Sequence, residues 1–167
     1  TDLRHLWFQY QSIQILNDSV FNKTGNIIQL FYGEAKDIFN DLFNQFDIKN
    51  VFSYQESGIN LTFDRDKALK VLFRNHNTVW HEFQRDGIIR GIKDRKSWDK
   101  KWYHVMNEPL IRNTFVKKSD LPLYNHFELL PELEKEWSQT NPNFQPPGEI
   151  YAHKYLASFL LSRYEGY

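Results

Sequence analysis

The sequence predicts an α/β fold in which a parallel sheet is flanked by helices. Short runs rich in β-forming residues lie at Ile27–Tyr32, Val51–Tyr54 and Thr78–Phe83, and segments with helical spacing separate them. Strands that alternate with helices at this spacing are typical of βαβ units, whose strands pair in parallel. We therefore expect the first half of the chain to form such units.

Apolar residues at steps of three and four predict the helices around these strands. The first helix runs from Leu3 to Val20, before Thr24-Gly25-Asn26 breaks the pattern. A second spans Ile38–Phe46. Thr62, a residue type that caps helices, precedes a third helix whose apolar face lies within Ala68–Phe73.

The strand and helix rhythm stops beyond Gln84. Residues 84–97 predict a loop, and Trp98–Met106 predicts a helix. The stretch from Glu108 to Pro147 is predicted to be largely irregular, with a short helix near Leu133. A final helix follows Pro146-Pro147-Gly148, and it is expected to bury four apolar side chains: Tyr155, Leu156, Phe159 and Leu160.

The composition limits the classes of protein to consider. With 167 residues the chain is long enough to bury a core as one domain. Aromatic residues reach 17%, which indicates either a core of large rings or an apolar face that needs a partner. The absence of Cys excludes disulfides and thiolate sites. The 21 basic and 21 acidic residues cancel, so any affinity for an anionic partner must be local.

Most generic chemical motifs are missing from the sequence. It has neither a glycine-rich phosphate loop nor a nucleophile elbow, and its six histidines show no metal-type spacing. No apolar run approaches the roughly 20 residues that cross a bilayer, and no export signal is present. We predict no catalytic residues and no metal ligands in this chain, no membrane association and a cytoplasmic location.

The first of two candidate regions is Gln55-Glu56-Ser57-Gly58, directly after the Val51–Tyr54 strand. In open α/β sheets, ligands bind beyond the carboxyl ends of the strands, so polar groups at this position are candidates for binding. A simple turn, in which Gly58 supplies a positive φ, explains the same residues equally well.

The second candidate region is Arg85–Lys101, which holds seven basic and three acidic residues, a local net charge of +4. Trp98 and Trp102 lie one turn apart on the predicted helix and share a face. Basic charge beside aromatic rings is typical of surfaces that bind a nucleic-acid backbone, a phosphate-bearing cofactor or an acidic partner. The alternative is a solvated loop whose tryptophans pack on their own domain.

In order and spacing, several motifs resemble the N-terminal α/β domain of the DNA photolyase/cryptochrome family. They span nearly the whole chain: Arg4-His5-Leu6-Trp7-Phe8, Val51–Gly58, Arg65-Asp66, Trp80-His81-Glu82-Phe83, Asp86–Arg90, the spaced set Trp98, Trp102, Met106 and Pro109, and the stretch from Pro147 to Tyr164. The resemblance implies a Rossmann-like sheet with flavodoxin-like strand order. It also implies a partial α/β domain at 1–107, then an interdomain linker and terminal helix at 108–167 that lead to an absent helical domain.

The family's enzymes split pyrimidine dimers in DNA with blue light, and the resemblance therefore implies a photolyase-type carbon–carbon lyase activity for the full-length protein. FAD and the DNA groove belong to the family's helical domain, so that domain and, through it, damaged DNA are the expected partners. The α/β domain of the family often holds an antenna pigment, which is a folate, a deazaflavin or a flavin. Leu61-Thr62 stand where folate-using members place a carboxylate, which disfavours a folate and leaves the identity of the pigment open. Gln55, Glu56 and Arg65 are the candidate pigment contacts. Arg90, Trp98, Lys101 and Trp102 are the candidate residues for docking the helical domain.

The family's opening strand, and the helix and strand that follow it, have no counterpart in this sequence. In the family order these strands lie between Ile27–Tyr32 and Val51–Tyr54. We therefore expect either that an upstream segment supplies them, within a longer chain or as a separate piece, or that strands are swapped between chains. We expect the three strands of this chain not to form one continuous sheet by themselves.

The predicted function is the antenna and scaffold part of a light-dependent DNA-repair flavoprotein, without its reaction centre. A cryptochrome photoreceptor is the alternative within the same fold. A stand-alone nucleotide- or pigment-binding module is the alternative from another class. Oligomeric state stays open.

Overall fold

The computed structural model describes residues 2–84, 87–89, 92–109, 111–112, 114, 122–139 and 144–162. These residues form six helices and two strands, which confirms the mixed α/β class. In chain order the elements are α1 (Leu3–Thr24), α2 (Ala35–Gln45), β1 (Asn50–Tyr54), α3 (Asn60–Asn75), β2 (Val79–Phe83), α4 (Trp98–Met106), α5 (Pro131–Ser138) and α6 (Glu149–Ser162). The flavodoxin-like strand order stays a prediction.

The chain divides into two units. Unit 1 comprises Thr1–Tyr32, Thr114–Pro122 and Glu128–Tyr167, and unit 2 comprises Gly33–Asn113 and Leu123–Phe127. The predicted division at residues 107 and 108 concerns domains of the resembled family, and it stays a prediction.

The sheet of unit 2 has two parallel strands, β1 and β2, joined by α3. Both strands were predicted, and their pairing across a helix confirms the expected βαβ unit. Val51 lies opposite Trp80, and Ser53 lies opposite Glu82. Because side chains alternate across a strand, these four residues share one face of the sheet.

The core of unit 2 forms where α3 packs on that face. Leu69, Leu72 and Phe73 are buried, and Phe73 is only 1% exposed. The ring of Phe73 meets Phe39 of α2 at 4.7 Å and Trp80 of β2 at 5.2 Å, both edge to face. Such contacts are the favoured geometry for aromatic rings, so the high aromatic content here builds a core.

The opposite face of the sheet is uncovered in the described part of the chain. The strand register places Phe52, Tyr54, Val79 and Phe83 there, and each side chain is more than half exposed. On this face Phe52 stacks on His81 at 4.7 Å and on Phe83 at 6.5 Å. The apolar face anticipated from the composition is thus present beside the aromatic core.

The prediction of a strand at Ile27–Tyr32 is wrong. The segment has no regular secondary structure and pairs with no described strand, and Ile27 and Tyr32 are exposed. Instead the side chain of Asn17 on α1 satisfies the backbone of Ile28: its Oδ1 accepts from the Ile28 N–H at 2.8 Å, and its Nδ2 donates to the Ile28 carbonyl at 3.3 Å. An amide side chain therefore takes the place of a neighbouring strand, and no sheet of three strands forms among the described residues.

Two further details of the prediction are corrected. Thr62 does not cap α3, because the helix begins at Asn60 after Ile59, and the Thr62 hydroxyl instead donates to the Ile59 carbonyl at 2.8 Å. The final helix lies where predicted, as α6, but Tyr155, Leu156 and Leu160 are exposed and Phe159 is half-buried. Helical spacing locates α6 correctly, yet most of its apolar side chains are exposed.

Unit 1 is organised around α1 and α5. Asp2 caps α1 by accepting from the Arg4 N–H at 3.0 Å, and Gly25 ends the helix at a φ of 71°. Helix α1 packs on α5, whose Trp137 is 6% exposed. The Trp137 ring meets the rings of Tyr10 and Tyr32 edge to face, at 6.5 and 5.4 Å.

Candidate functional site

Of the three residues predicted to bind a pigment, Glu56 and Arg65 face each other at the carboxyl end of β1, and Gln55 directly follows the strand. Together with two residues of the same turn they form what we call the strand-end site: Gln55, Glu56, Ser57, Gly58 and Arg65. The Gln55 N–H donates to the Phe83 carbonyl at 2.8 Å, so β1 and β2 stay joined up to the point where the site begins. Arg65 comes from the second turn of α3. The sheet and the helix together therefore position the site.

Glu56 organises the turn of the strand-end site. Its Oε1 accepts from the Gly58 N–H at 2.8 Å, and its Oε2 lies 3.7 Å from Arg65 Nη2. One carboxylate thus holds the loop in shape and also faces the guanidinium. The positive φ expected of Gly58 does not occur, since the glycines with positive φ in the described ranges are Gly25, Gly87 and Gly148.

Arg65 lies between two carboxylates. Its Nε and Nη2 donate to Asp66 Oδ1 at 3.1 and 2.8 Å, while Glu56 faces the same Nη2. Asp66 is 7% exposed, so its charge is compensated in a place that water hardly reaches. The arrangement fixes Arg65 as a donor with a defined direction and leaves no excess of positive charge.

Sequence reasoning missed the role of Asp66. A signal was available, because Asp66 lies three residues before Leu69 and seven before Phe73, on the stripe of α3 that faces the core. A carboxylate on an apolar stripe needs a partner, and the neighbouring Arg65 is that partner. Lys70 and Glu82, which approach each other to 3.8 Å, were also missed and add a second ion pair between α3 and β2.

A cavity of about 270 Å³ adjoins the strand-end site. Its lining is mixed, with polar groups from the Glu56 turn and from α3 and apolar groups from three positions: Ile59, Phe63 and Ile88. Ligand pockets are commonly apolar walls with a few polar groups that fix orientation. The cavity has this mixed character.

The predicted docking residues lie at α4, where Trp98 is the first helical residue. The Trp98 Nε1–H donates to the Gly87 carbonyl at 3.2 Å, and the rings of Trp98 and Trp102 stack at 6.3 Å. Both tryptophans are half-buried. Most of their apolar surface is therefore buried within unit 2. This agrees with the alternative in which the tryptophans pack on their own domain.

Gly87 explains how closely this packing fits. Its φ is 70°, and a Cβ atom at this position would lie 2.6 Å from Cδ1 of Trp102. Only glycine therefore allows the loop to lie against the ring. Lys101 lies on the exposed side of α4, beside a cavity of about 210 Å³ that also includes His104. Arg90 lies outside the described residues, and the docking role of the group stays a prediction.

Within the described ranges, no three His, Asp or Glu side chains are grouped so that they could hold a metal ion. None of the helices described there is long and apolar enough to cross a membrane.

Comparison with protein-family models and with curated proteins gives no match for this sequence.

Proposed function

We propose that this chain is the antenna and scaffold part of a light-dependent DNA-repair flavoprotein of the deoxyribodipyrimidine photolyase type, whose reaction centre lies in a separate helical domain that binds FAD. The observation that carries the proposal is the strand-end site. A fixed guanidinium and a mixed cavity lie at the carboxyl end of a parallel strand, where α/β sheets bind their ligands. The order of the family-like motifs, including Arg65-Asp66, supports the same reading.

The chemistry of the strand-end site favours a pigment over a phosphate group. Arg65 is shared by Glu56 and Asp66, so the site offers no surplus cation to bind a phosphate. It offers directed donors and acceptors beside Phe63 and Ile88. A flat conjugated ring with a polar edge, as in a flavin, deazaflavin or folate pigment, matches this combination.

The first test is a pigment titration of the chain. We expect FMN, a deazaflavin or a reduced folate to bind with a change in visible absorption and to quench tryptophan fluorescence. Arg65→Lys keeps the charge but removes the planar fork, and we expect it to weaken binding about tenfold. Arg74→Lys, an exposed position on the same helix, is the matched control and should bind as the parent does.

The second test is a repair assay with the full-length gene product. Light-dependent cleavage of pyrimidine dimers would support the photolyase assignment. Light-driven flavin reduction without repair would favour the cryptochrome alternative. Failure to bind any pigment, together with the absence of any light response, would refute the proposal.

A further inference from the structure

The basic surface of unit 2 is formed by five exposed cations at the start of α4 and in the loop before it: Lys93, Arg95, Lys96, Lys100 and Lys101. Two acidic residues, Asp94 and Asp99, lie among them, and the segment 92–104 therefore carries a net charge of +3. The whole chain is neutral, so this surface is a local excess of positive charge.

The cations of the basic surface make no ion pair with any described residue. Other basic residues of unit 2 do: Lys49 is 2.6 Å from Asp47, Lys67 is 3.2 Å from Asp64, and Arg65 contacts Asp66. Carboxylates do lie close to the unpaired cations in sequence, at Asp94 and Asp99. These two carboxylates have other roles.

Asp94 and Asp99 have local structural roles. The Asp94 Oδ1 accepts from the Lys96 N–H at 2.8 Å, which closes the turn that leads into the helix. Asp99 lies in the first turn of α4, where a negative charge is stabilised by the helix dipole. Asp94 thus shapes the backbone that presents the cations, and the Asp99 charge favours the start of the helix.

The backbone beneath the basic surface is anchored. The Trp98 N–H donates to the Arg95 carbonyl at 3.1 Å, and the Trp98 ring is fixed to the Gly87 carbonyl. The cations on either side of Trp98 are therefore attached to an ordered turn. A preformed array of charges loses less conformational entropy on binding than a flexible tail does.

We propose that the basic surface binds the phosphate backbone of DNA, independently of sequence. Arg95 and the lysines offer charge-assisted hydrogen bonds to phosphate oxygens. Tyr103, which is 59% exposed on the neighbouring turn of α4, adds an aromatic face on which a base can stack. An anionic membrane fits less well, because the apolar side of α4 is directed at the Gly87 loop through Trp98 and Trp102 and does not remain free to enter lipid.

This proposal goes beyond the proposed function, which assigns DNA recognition to another domain. It predicts that the α/β part makes a contact of its own with the backbone of the nucleic acid. Because phosphate contacts carry no sequence information, the contact adds affinity and orientation but no preference for a lesion.

The test is a fluorescence-anisotropy titration of the chain with labelled single-stranded and duplex DNA of about 16 nucleotides at several salt concentrations. If all five cations contact phosphates, the logarithm of the duplex binding constant should fall against the logarithm of salt with a slope of about −4.5. The triple variant Lys93→Gln, Arg95→Gln, Lys96→Gln should reduce the slope by about three and weaken binding at low salt at least roughly tenfold.

A matched control distinguishes an effect of this surface from an effect of the net charge of the chain. The variant Lys36→Gln, Lys67→Gln, Arg74→Gln removes the same residue types from exposed positions elsewhere in unit 2, and it should bind DNA as the parent does. The variant Lys93→Arg, Lys96→Arg keeps the charge and should also bind. Circular dichroism establishes that each variant is folded.

Three results would overturn the proposal: no salt-dependent DNA binding, equal weakening in the control variant, or equal binding to phosphatidylserine vesicles or polyglutamate. Pigment binding by the triple variant should be unchanged, since the substituted residues lie outside the strand-end site. A failure of this proposal is thus distinguishable from a failure of the proposed function.

Discussion

Helices α3 and α6 both carry apolar side chains, but the environments of these side chains are opposite. Leu69, Leu72 and Phe73 on α3 are 5%, 8% and 1% exposed, whereas Leu160 and Leu161 on α6 are 57% and 86% exposed. Both helices lie where the sequence predicts them. The buried residues of α3 pack against α2 and the sheet, whereas most apolar side chains of α6 are exposed. Periodicity thus fixes the helix, and a partner surface decides burial.

The largest expected effect tests this comparison directly. Phe73→Ala removes a fully buried ring from contact with Phe39 and Trp80, and we expect a loss of about 3–5 kcal/mol in the free energy of unfolding. Leu160→Ala on α6 should change it by less than about 0.5 kcal/mol. Urea unfolding followed by circular dichroism measures both. Equal effects would mean that α6 is buried in solution.

A second comparison sets two glycines of the same conformation against each other. Gly25 and Gly87 have φ values of 71° and 70°, but a Cβ atom would meet nothing within 4 Å at Gly25 and would clash with Trp102 at Gly87. Gly25→Ala should cost about 1–2 kcal/mol from the backbone alone. Gly87→Ala should cost more, and it should shift the tryptophan emission to longer wavelength. If the two costs were equal, Trp102 would not pack against this loop.

A smaller effect is expected where α2 holds the segment 123–127. Gln45 acts as a clamp: its Nε2 donates to the Tyr124 carbonyl at 2.7 Å, and its Oε1 accepts from the Tyr124 N–H at 2.9 Å. Gln45→Ala should cost about 1–2 kcal/mol, because two exposed hydrogen bonds are each worth about 1 kcal/mol or less. Hydrogen exchange at the Tyr124 amide should accelerate, and Asn44→Ala, one residue earlier, should leave it unchanged.

The smallest effect concerns Tyr10 in unit 1. Burial raises the pKa of the Tyr10 hydroxyl, the Glu134 charge and its hydrogen bond raise it further, and a hydrogen bond with Gln14 partly offsets this. The folded state therefore holds the proton more tightly than the unfolded state. This stabilisation is complete below a pH of about 10, the ordinary tyrosine value, and is lost as the pH rises through the raised pKa.

Tyr10→Phe removes the titrating group and should flatten the dependence of unfolding free energy on pH in that alkaline range. Thermal melts at a series of pH values measure the slope. Tyr151→Phe, at an exposed position of α6, is the control and should keep the slope of the parent. An unchanged slope in Tyr10→Phe would contradict the environment described for this hydroxyl.

Local sequence predicted most elements because their signals are local. Helix α4 begins and ends where predicted, at Trp98 and Met106, and both paired strands lie within a residue of their predicted bounds. The segment Ile27–Tyr32 shows the limit of such signals. Its residues favour a β-strand, but a strand also needs a neighbour, and no local pattern encodes that the Asn17 side chain will bind the Ile28 backbone instead.

The candidate site was predictable in position and less so in its internal contacts. The end of β1 pointed to Gln55 and Glu56, because the carboxyl ends of strands are common binding positions. Arg65 pairs with both Glu56 and Asp66. The pair with Glu56 depends on the distance between a loop and a helix, which the spacing of residues in the sequence does not give. The orientation of Trp98 and Trp102 toward Gly87 likewise depends on a contact 11 residues apart in sequence.

The unpaired edges of the β1–β2 sheet, together with its exposed apolar face, affect how the protein behaves in solution. Each strand has one neighbouring strand in the described part of the chain, so its other edge carries backbone donors and acceptors that no described strand pairs. Next to Phe52 and Phe83 such an edge is a template for a strand from another molecule. We expect self-association to increase with protein concentration, and a β-strand peptide supplied in excess should keep the chain in solution.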